Sequence, residues 1–234
     1  MRRDAVEKRG VHPFSATVQY VFMTLAVRDP SDLPDYAQRT LVAYQHHAKE
    51  AIASWRISPR PSQFLRRFLK RLPAHARVLD YGCGIGTDLA WMQQRGLHVE
   101  GLDGTWEFVR EARRRCPGVS IVHERFESVH LPTSVYDGLW CHAALLHVPP
   151  LVLTQHLCRF QRALKSSGLL GISLAWGRTK RYLQDGWIPG RYVASYVKRE
   201  ALAIFHAWSL EELKVVSGDG RQGRWMQIIA RAPS

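Results

Sequence analysis

Cysteine is scarce in this 234-residue sequence, and its four copies, Cys83, Cys116, Cys141 and Cys158, form no C-x-x-C pair. That spacing excludes a disulfide framework and the usual zinc sites. It reads as reduced thiols in a cytoplasmic protein. Histidine is more plentiful, yet no H-E-x-x-H or related ligand pattern occurs, so no metal is expected. No apolar run is long enough to span a bilayer. The basic start is followed by "VQYVFMTLAV", which is short, sits late and lacks a small-residue cleavage site, so no secretory signal is expected. Internal repeats are absent. Acids are also few: 20 Asp and Glu against 33 Lys and Arg leave a net charge of +13. Such a charge attracts RNA, anionic membranes or acidic metabolites. The basic residues are scattered through "RRFLKR", "REARRRC", "RTKR" and "VKRE", which favours a solvated basic surface over a dedicated binding face.

What is present is enough for one sizeable core, with an appendage. Residues 1 to about 37 read as a loosely tied leader. "AQRTLVAYQHHAKEAIASW" has the apolar spacing of one helix, broken by "ISPRP", and "SQFLRRFLKRL" is a second helix opened by a Ser cap. Strand and helix patterns then alternate from "ARVLDY" to "GLLGISLAW", which predicts a parallel sheet covered on both faces. The tail, "LEELKVVSG" and "RWMQIIARA" around "DGRQG", reads as an antiparallel hairpin. The expected division is residues 1–72 as leader and helical lid, and 73–234 as the α/β domain.

The stretch "VLDYGCGIGTDL" places Gly82, Gly84 and Gly86 between the first strand and its helix. Glycines there let the backbone press against a ligand, and the helix start adds unpaired N–H groups. The spacing is G-x-G-x-G rather than the dinucleotide G-x-G-x-x-G, and no G-K-[ST] follows. Asp80, just before the loop, would repel a pyrophosphate and suits a cationic ligand. Asp103 ends the second strand, where a carboxylate accepts ribose hydroxyls.

The run "VLDYGCGIGTDLAWMQQRGLHVEGLDGT" resembles the cofactor half of the class I S-adenosylmethionine-dependent methyltransferases. "YDGLWCHAALLHVP" and "LKSSGLLGISL" resemble their fourth-strand motif and the segment after it. The resemblance covers about residues 76–231 and implies a seven-stranded, mostly parallel, doubly wound α/β sheet (Rossmann-like) with an antiparallel terminal hairpin and an N-terminal helical extension. It implies S-adenosyl-L-methionine as cofactor and S-adenosyl-L-homocysteine as product. Asp80, Gly82, Cys83 and Gly84 would hold the methionine part. Asp103 would hold the ribose, with Gly104 and Trp106 near it. Arg125 stands where the family commonly has an Asp for the adenine, so Phe126 is expected to stack on the ring or lend its N–H. Cys141, with His142 and Ala143, should border the methyl group. Cys83 also fits as a small filler, Trp106 as a core plug and His147 as a packed histidine.

Methyl transfer from a sulfonium is an in-line displacement that asks mainly for alignment. A base is needed where the acceptor loses a proton, and His142, then His147, are the candidates. Tyr44 and Trp55 would fold over the cofactor. The segment 177–196 concentrates Arg178, Arg181, Tyr182, Trp187, Arg191, Tyr192 and Tyr196. Of these, Trp187, Arg191 and Tyr192, with Tyr44, are the expected substrate contacts. Aromatic walls with Arg forks suit a planar or carboxylated small molecule, or a stacked RNA base. The expected partner is a small-molecule acceptor methylated on O, N or S, in a monomer or homodimer, without DNA or membrane. The alternatives are an RNA methyltransferase and a non-catalytic S-adenosylmethionine-binding protein.

Overall fold

A computed structural model describes residues 33–55, 61–218 and 223–233. Most of the expected leader, most of the expected break at "ISPRP" and most of the "DGRQG" turn lie outside the described residues. In chain order the elements are α1 (Asp35–His46), α2 (Ala48–Ser54), α3 (Gln63–Leu69), β1 (Arg77–Tyr81), α4 (Thr87–Gln94), β2 (His98–Asp103), α5 (Trp106–Arg115), β3 (Ser120–His123) and β4 (Tyr136–Cys141). After a 3-10 turn (Leu145–His147) come α6 (Pro150–Ala163), β5 (Leu164–Trp176), β6 (Lys180–Tyr182), β7 (Tyr192–Tyr196), α7 (Lys198–Ile204), β8 (Ser209–Ser217) and β9 (Arg224–Arg231).

The apolar runs of β1, β4 and β5 are covered on both faces, as parallel strands between helices must be. β1 pairs in parallel with β2 and β4, β2 with β3, and β4 with β5. β9 runs antiparallel to both β5 and β8. The chain moves outward from β1 to β3, then returns to the other side of β1 as β4. This reversal opens a crevice at the carboxyl ends of β1 and β4, where Asp80 and His142 stand. The segment 177–196, expected only as an insertion, supplies two further strands. β6 and β7 pair antiparallel, and β7 pairs with the end of β5, making the sheet nine-stranded.

One face of the sheet packs α6 and α7 through Leu153, Leu157, Phe160, Ala201 and Phe205. The other packs α3, α4 and α5 through Phe64, Phe68, Leu89, Met92 and Val109. Trp140 is fully buried there, 4.6 Å from Phe64 and 5.0 Å from Phe68 between ring centroids. Its strand neighbour must be Gly171, where a Cβ would lie 2.6 Å from the indole. Replacing Trp140 by Ala would cost about 3–5 kcal/mol.

Two expectations about the N-terminal region change. The helix expected from Ala37 to Trp55 is two helices, parting at His47. Its buried residues Ala43 and Ala48 are five apart, which on a continuous helix would put them about 140° from one another. The break at His47 turns both toward the same core. A boundary after residue 72 would assign α3 to the lid. Instead, α3, capped by Ser62 Oγ accepting the Leu65 N–H at 3.0 Å, buries Phe64, Leu65 and Phe68 in the core of the sheet.

Candidate functional site

The glycine loop is held tightly before any ligand is considered. The N–H groups of Gly82 and Cys83 both donate to the Leu102 carbonyl at 2.9 Å, tying the loop to β2. Gly82 has φ +82°, and a Cβ there would lie 2.4 Å from the Ala144 Cβ. No other residue fits, sterically or conformationally. Gly86, φ +76°, lets α5 approach, with Ala112 3.0 Å from where a Cβ would stand. Cys83 packs against Gly101 and belongs to the α3–α5 core while one edge meets the cavity, so the filler reading describes its packing.

Three carboxylates converge behind this loop. Asp103 Oδ2 accepts the Gly84 N–H at 2.9 Å, and Oδ1 accepts the Thr105 N–H at 2.8 Å. Burial raises the Asp103 pKa, and hydrogen bonds from the Thr105 and Gly84 N–H groups and from the Thr105 side chain oppose the rise. With four lone-pair sites on its two oxygens, the carboxylate keeps capacity for a further donor. Asp80 is 3 % exposed and has no hydrogen-bond or ion-pair partner among the described residues. Burial, then Asp88, then Asp103 push its pKa well above the usual carboxylate range. A buried acid facing two others is the environment that a cationic ligand group relieves.

At the tip of β4 the backbone turns sharply. Ala143 takes φ +55°, and its N–H donates to Ser173 Oγ at 2.9 Å. His142 is thereby turned to the cavity, with Nδ1 3.3 Å from Asp88 Oδ2. The same Asp88 oxygen accepts the Trp140 indole N–H at 2.8 Å, which anchors it. The arrangement has the form of a histidine oriented by a fixed carboxylate, a geometry suited to proton abstraction. Asp88 did not emerge from sequence reading. Its signal was an acid in the first turn of α4, directly behind the glycine loop.

His147 has a different role from the one expected as an alternative base. It is buried, its Nδ1 lies 2.7 Å from the Tyr192 carbonyl and its Nε2 2.9 Å from the Tyr44 hydroxyl. The carbonyl only accepts, so Nδ1 carries the proton and Nε2 accepts from Tyr44. Burial lowers its pKa to about 3. With both nitrogens engaged, it has no free lone pair for an acceptor's proton.

The lid closes the opposite wall. Trp55 lies over the glycine loop, its Cζ3 3.7 Å from where a Gly84 Cβ would stand. It packs at 4.8 Å against Phe108 and 5.6 Å against Trp187. The Thr40 hydroxyl on α1 accepts the Tyr192 N–H at 2.9 Å, Tyr182 hydrogen-bonds Asp35, and the Arg39 guanidinium lies 3.7 Å over the Tyr182 ring. These contacts fasten α1 to the β6–β7 hairpin. A cavity of about 1120 Å³ runs from the strand tips to this lid, larger than a single small-molecule site commonly needs.

Of the expected cofactor contacts, Asp80, Gly82, Cys83, Gly84, Asp103, Gly104, Arg125 and Phe126 line that cavity. Arg125 has a buried Nη1 without a hydrogen-bond partner among the described residues. Phe126 stacks on Tyr81 at 4.7 Å and 17°, leaving its edge for the cavity. Trp106 does not line it: the residue is 44 % exposed, lies against His123 and sits beneath Arg113. Cys141 is fully buried among the core residues one position before the opening. Among the expected substrate contacts, Tyr44, Trp187 and Arg191 line the cavity. The Tyr192 ring packs away between Tyr36 and Tyr182, and only its backbone serves the site. Phe108, buried beneath the lid at the cavity wall, is a lining residue not anticipated.

The fold and site define a Rossmann-like α/β protein with a nucleoside-sized crevice at the switch point of its sheet. Residues 78–168 match the methyltransferase domain family. A malonyl-[acyl-carrier protein] O-methyltransferase of Enterobacter lignolyticus is 28% identical over 121 residues, 51% of this chain and 47% of that protein. An S-adenosyl-L-methionine-dependent Diels-Alderase of Talaromyces variabilis is 30% identical over 139 residues, 53% of this chain and 46% of that protein. The matches thus span just under half the length of these two curated relatives. Among solved structures, the 1,6-didemethyltoxoflavin-N1-methyltransferase of Burkholderia thailandensis, bound to its substrate and S-adenosylhomocysteine, aligns over 82% of this chain and 85% of its own. The TM-score is 0.62 at 20% identity, which establishes a shared fold. The domain match over residues 78–168, the methyltransferase relatives and the shared fold together support a class I S-adenosylmethionine-dependent methyltransferase, with S-adenosylmethionine as cofactor. Among the described residues no helix is long and apolar enough to cross a membrane.

Proposed function

We propose that this protein transfers a methyl group to O, N or S of a small-molecule acceptor by in-line displacement. The observation that carries the reading is the single cavity joining the Asp80–Asp103 crevice to the aromatic lid of Tyr44, Trp55 and Trp187. Such a space admits a cofactor at the strand tips and an acceptor beneath the lid. Free cysteines, with no disulfide among the described residues, are in keeping with a cytoplasmic setting.

The cofactor supplies a methyl group already activated on a sulfonium, so the protein's task is to bind, align and exclude water. Asp80 would face the cationic amino-acid part, and the loop N–H groups its carboxylate. Asp103 would accept the ribose hydroxyls with the lone pairs left by Gly84 and Thr105. Arg125 and Phe126 would border the base. The lid aromatics keep water from the line of attack. His142, oriented by Asp88, would take a proton from an acceptor that must lose one. His147 would be a positioning residue, holding the Tyr44 hydroxyl.

One relative carries an S-adenosylmethionine-dependent Diels-Alderase name, which favours as second reading a protein that binds the cofactor to organise a different reaction. Label from a methyl-tritiated cofactor, incubated with cell extract and split into small-molecule, RNA and protein fractions, distinguishes these. Incorporation into small molecules is expected. Label in RNA or protein overturns the acceptor class. Cofactor uptake without transfer to any fraction favours the second reading.

A further inference from the structure

Several guanidinium groups near the core of this protein answer a carboxylate: Arg67 pairs with Glu212, Arg77 with Glu100 and Arg115 with Glu111. Arg191 does not. It lies in the cavity wall just before β7, and among the described residues no acid pairs with it. Its one hydrogen bond is a long one, Nη1 to the Tyr44 hydroxyl at 3.5 Å, and its Nε is buried with no hydrogen-bond partner. Its Cζ lies 5.4 Å from the Trp187 ring centroid and 5.9 Å from that of Tyr44. The Tyr44 hydroxyl is itself committed to His147, so it does not neutralise the cation.

An unpaired guanidinium against aromatic faces is costly to hold unless an anion completes it. The planar fork matches a carboxylate with two parallel N–H···O bonds, and the flanking rings match a flat ligand body. We infer that the acceptor is a planar carboxylic acid, its carboxylate held by Arg191 and its flat body lying between Trp187 and Tyr44. The inference rests on the methyl-transfer reading for the word acceptor, and narrows it to one substrate class. It also gives the β6–β7 hairpin a purpose. The hairpin brings Trp187 and Arg191 to the lid helices, and the lid tyrosine completes the slot.

The test uses a matched pair of probes, 4-hydroxybenzoate and 4-hydroxybenzamide, titrated calorimetrically into the full chain saturated with S-adenosylhomocysteine. The acid should bind at least about tenfold tighter than the neutral amide, the scale of one charge-assisted pair. Arg191→Gln should erase that preference and leave S-adenosylhomocysteine affinity unchanged, while Arg191→Lys keeps part of the preference. Equal binding of the two probes, or no binding of the acid, overturns the inference without requiring any variant. A loss of S-adenosylhomocysteine affinity in Arg191→Gln as large as the loss for the acid also overturns it, by assigning the guanidinium to the cofactor's own carboxylate. A protein that takes up no S-adenosylhomocysteine fails the transferase reading itself. One that takes it up and shows no preference for the acid fails only this inference.

Discussion

Tyr44 and His147, 103 positions apart in sequence, meet at 2.9 Å, with the Tyr44 hydroxyl donating to His147 Nε2. The bond ties α1 of the lid to the turn that follows β4. Because His147 is fixed from behind by the Tyr192 carbonyl, the pair also reaches the β6–β7 hairpin. Three segments distant in sequence thus share one hydrogen-bond chain at the lid end of the cavity.

Tyr44→Phe would leave His147 Nε2 buried without a donor. Such an orphan costs about 1–3 kcal/mol. Chemical denaturation should show that loss, with S-adenosylhomocysteine affinity retained. An unchanged unfolding midpoint would mean that the bond contributes nothing to the lid's closure.

Acid sensitivity follows from two buried histidines. Burial lowers the pKa values of His147 and His156 to about 3, from 6.5. Below about pH 6.5 the unfolded chain takes up protons that the folded chain refuses. Stability present above that pH is therefore lost as pH falls toward 3, at up to about 1.4 kcal/mol per pH unit for each histidine. Asp80, Asp103 and Glu127, whose pKa values are raised, act in the opposite sense. The histidine share is read by difference: His156→Gln should show a shallower decline between about pH 6.5 and pH 4.5 than the unsubstituted protein. Parallel curves would count against a neutral buried His156.

Asp80 and Asp103 should separate stability from binding. Asp80→Asn removes a buried acid that has no partner among the described residues, so the ligand-free protein should melt higher, by about 2–4 °C for each kcal/mol relieved. Its S-adenosylhomocysteine affinity should fall about tenfold or more. Asp103→Ala should lose at least as much affinity, and it should also lose stability, because the Gly84 and Thr105 N–H groups lose their acceptor. Calorimetry and thermal unfolding on the same samples report both quantities. Two variants that moved together would refute the distinction.

His142→Ala should reduce turnover about a hundredfold or more on an acceptor that must lose a proton, with cofactor affinity intact. Asp88→Asn should reduce it less, since the histidine stays but loses its orienting carboxylate. Single-turnover kinetics with each variant measure this. Full activity in His142→Ala would remove the residue from the chemistry.

Much of the sheet could be read directly from the chain. The runs at β1, β4 and β5 are apolar without alternation because both faces are covered, and the glycines after β1 mark the loop over the crevice. The lid read less well. A continuous 3.6-residue pattern over 37–55 concealed the break at His47, because periodicity does not register a phase change of a single residue when alanines form the buried face. β6 and β7 were missed because they are short, and their pairing depends on the distant end of β5. Trp106 and Tyr192 were placed at the site by type and position along the chain. Their side-chain directions depend on α5 and β7 rotating them outward, which sequence distance does not encode.

By itself, the sequence determined the parallel sheet, the glycine loop and the two acids Asp80 and Asp103, since these rest on strand alternation, backbone freedom and charge within one local stretch. Tertiary structure alone decided that Asp88 serves His142, that His147 is occupied by Tyr44 and the Tyr192 carbonyl, and that Arg191 stands without an acid among the described residues. Those are relations across the fold. They exist only once packing has excluded water and fixed which groups can reach one another.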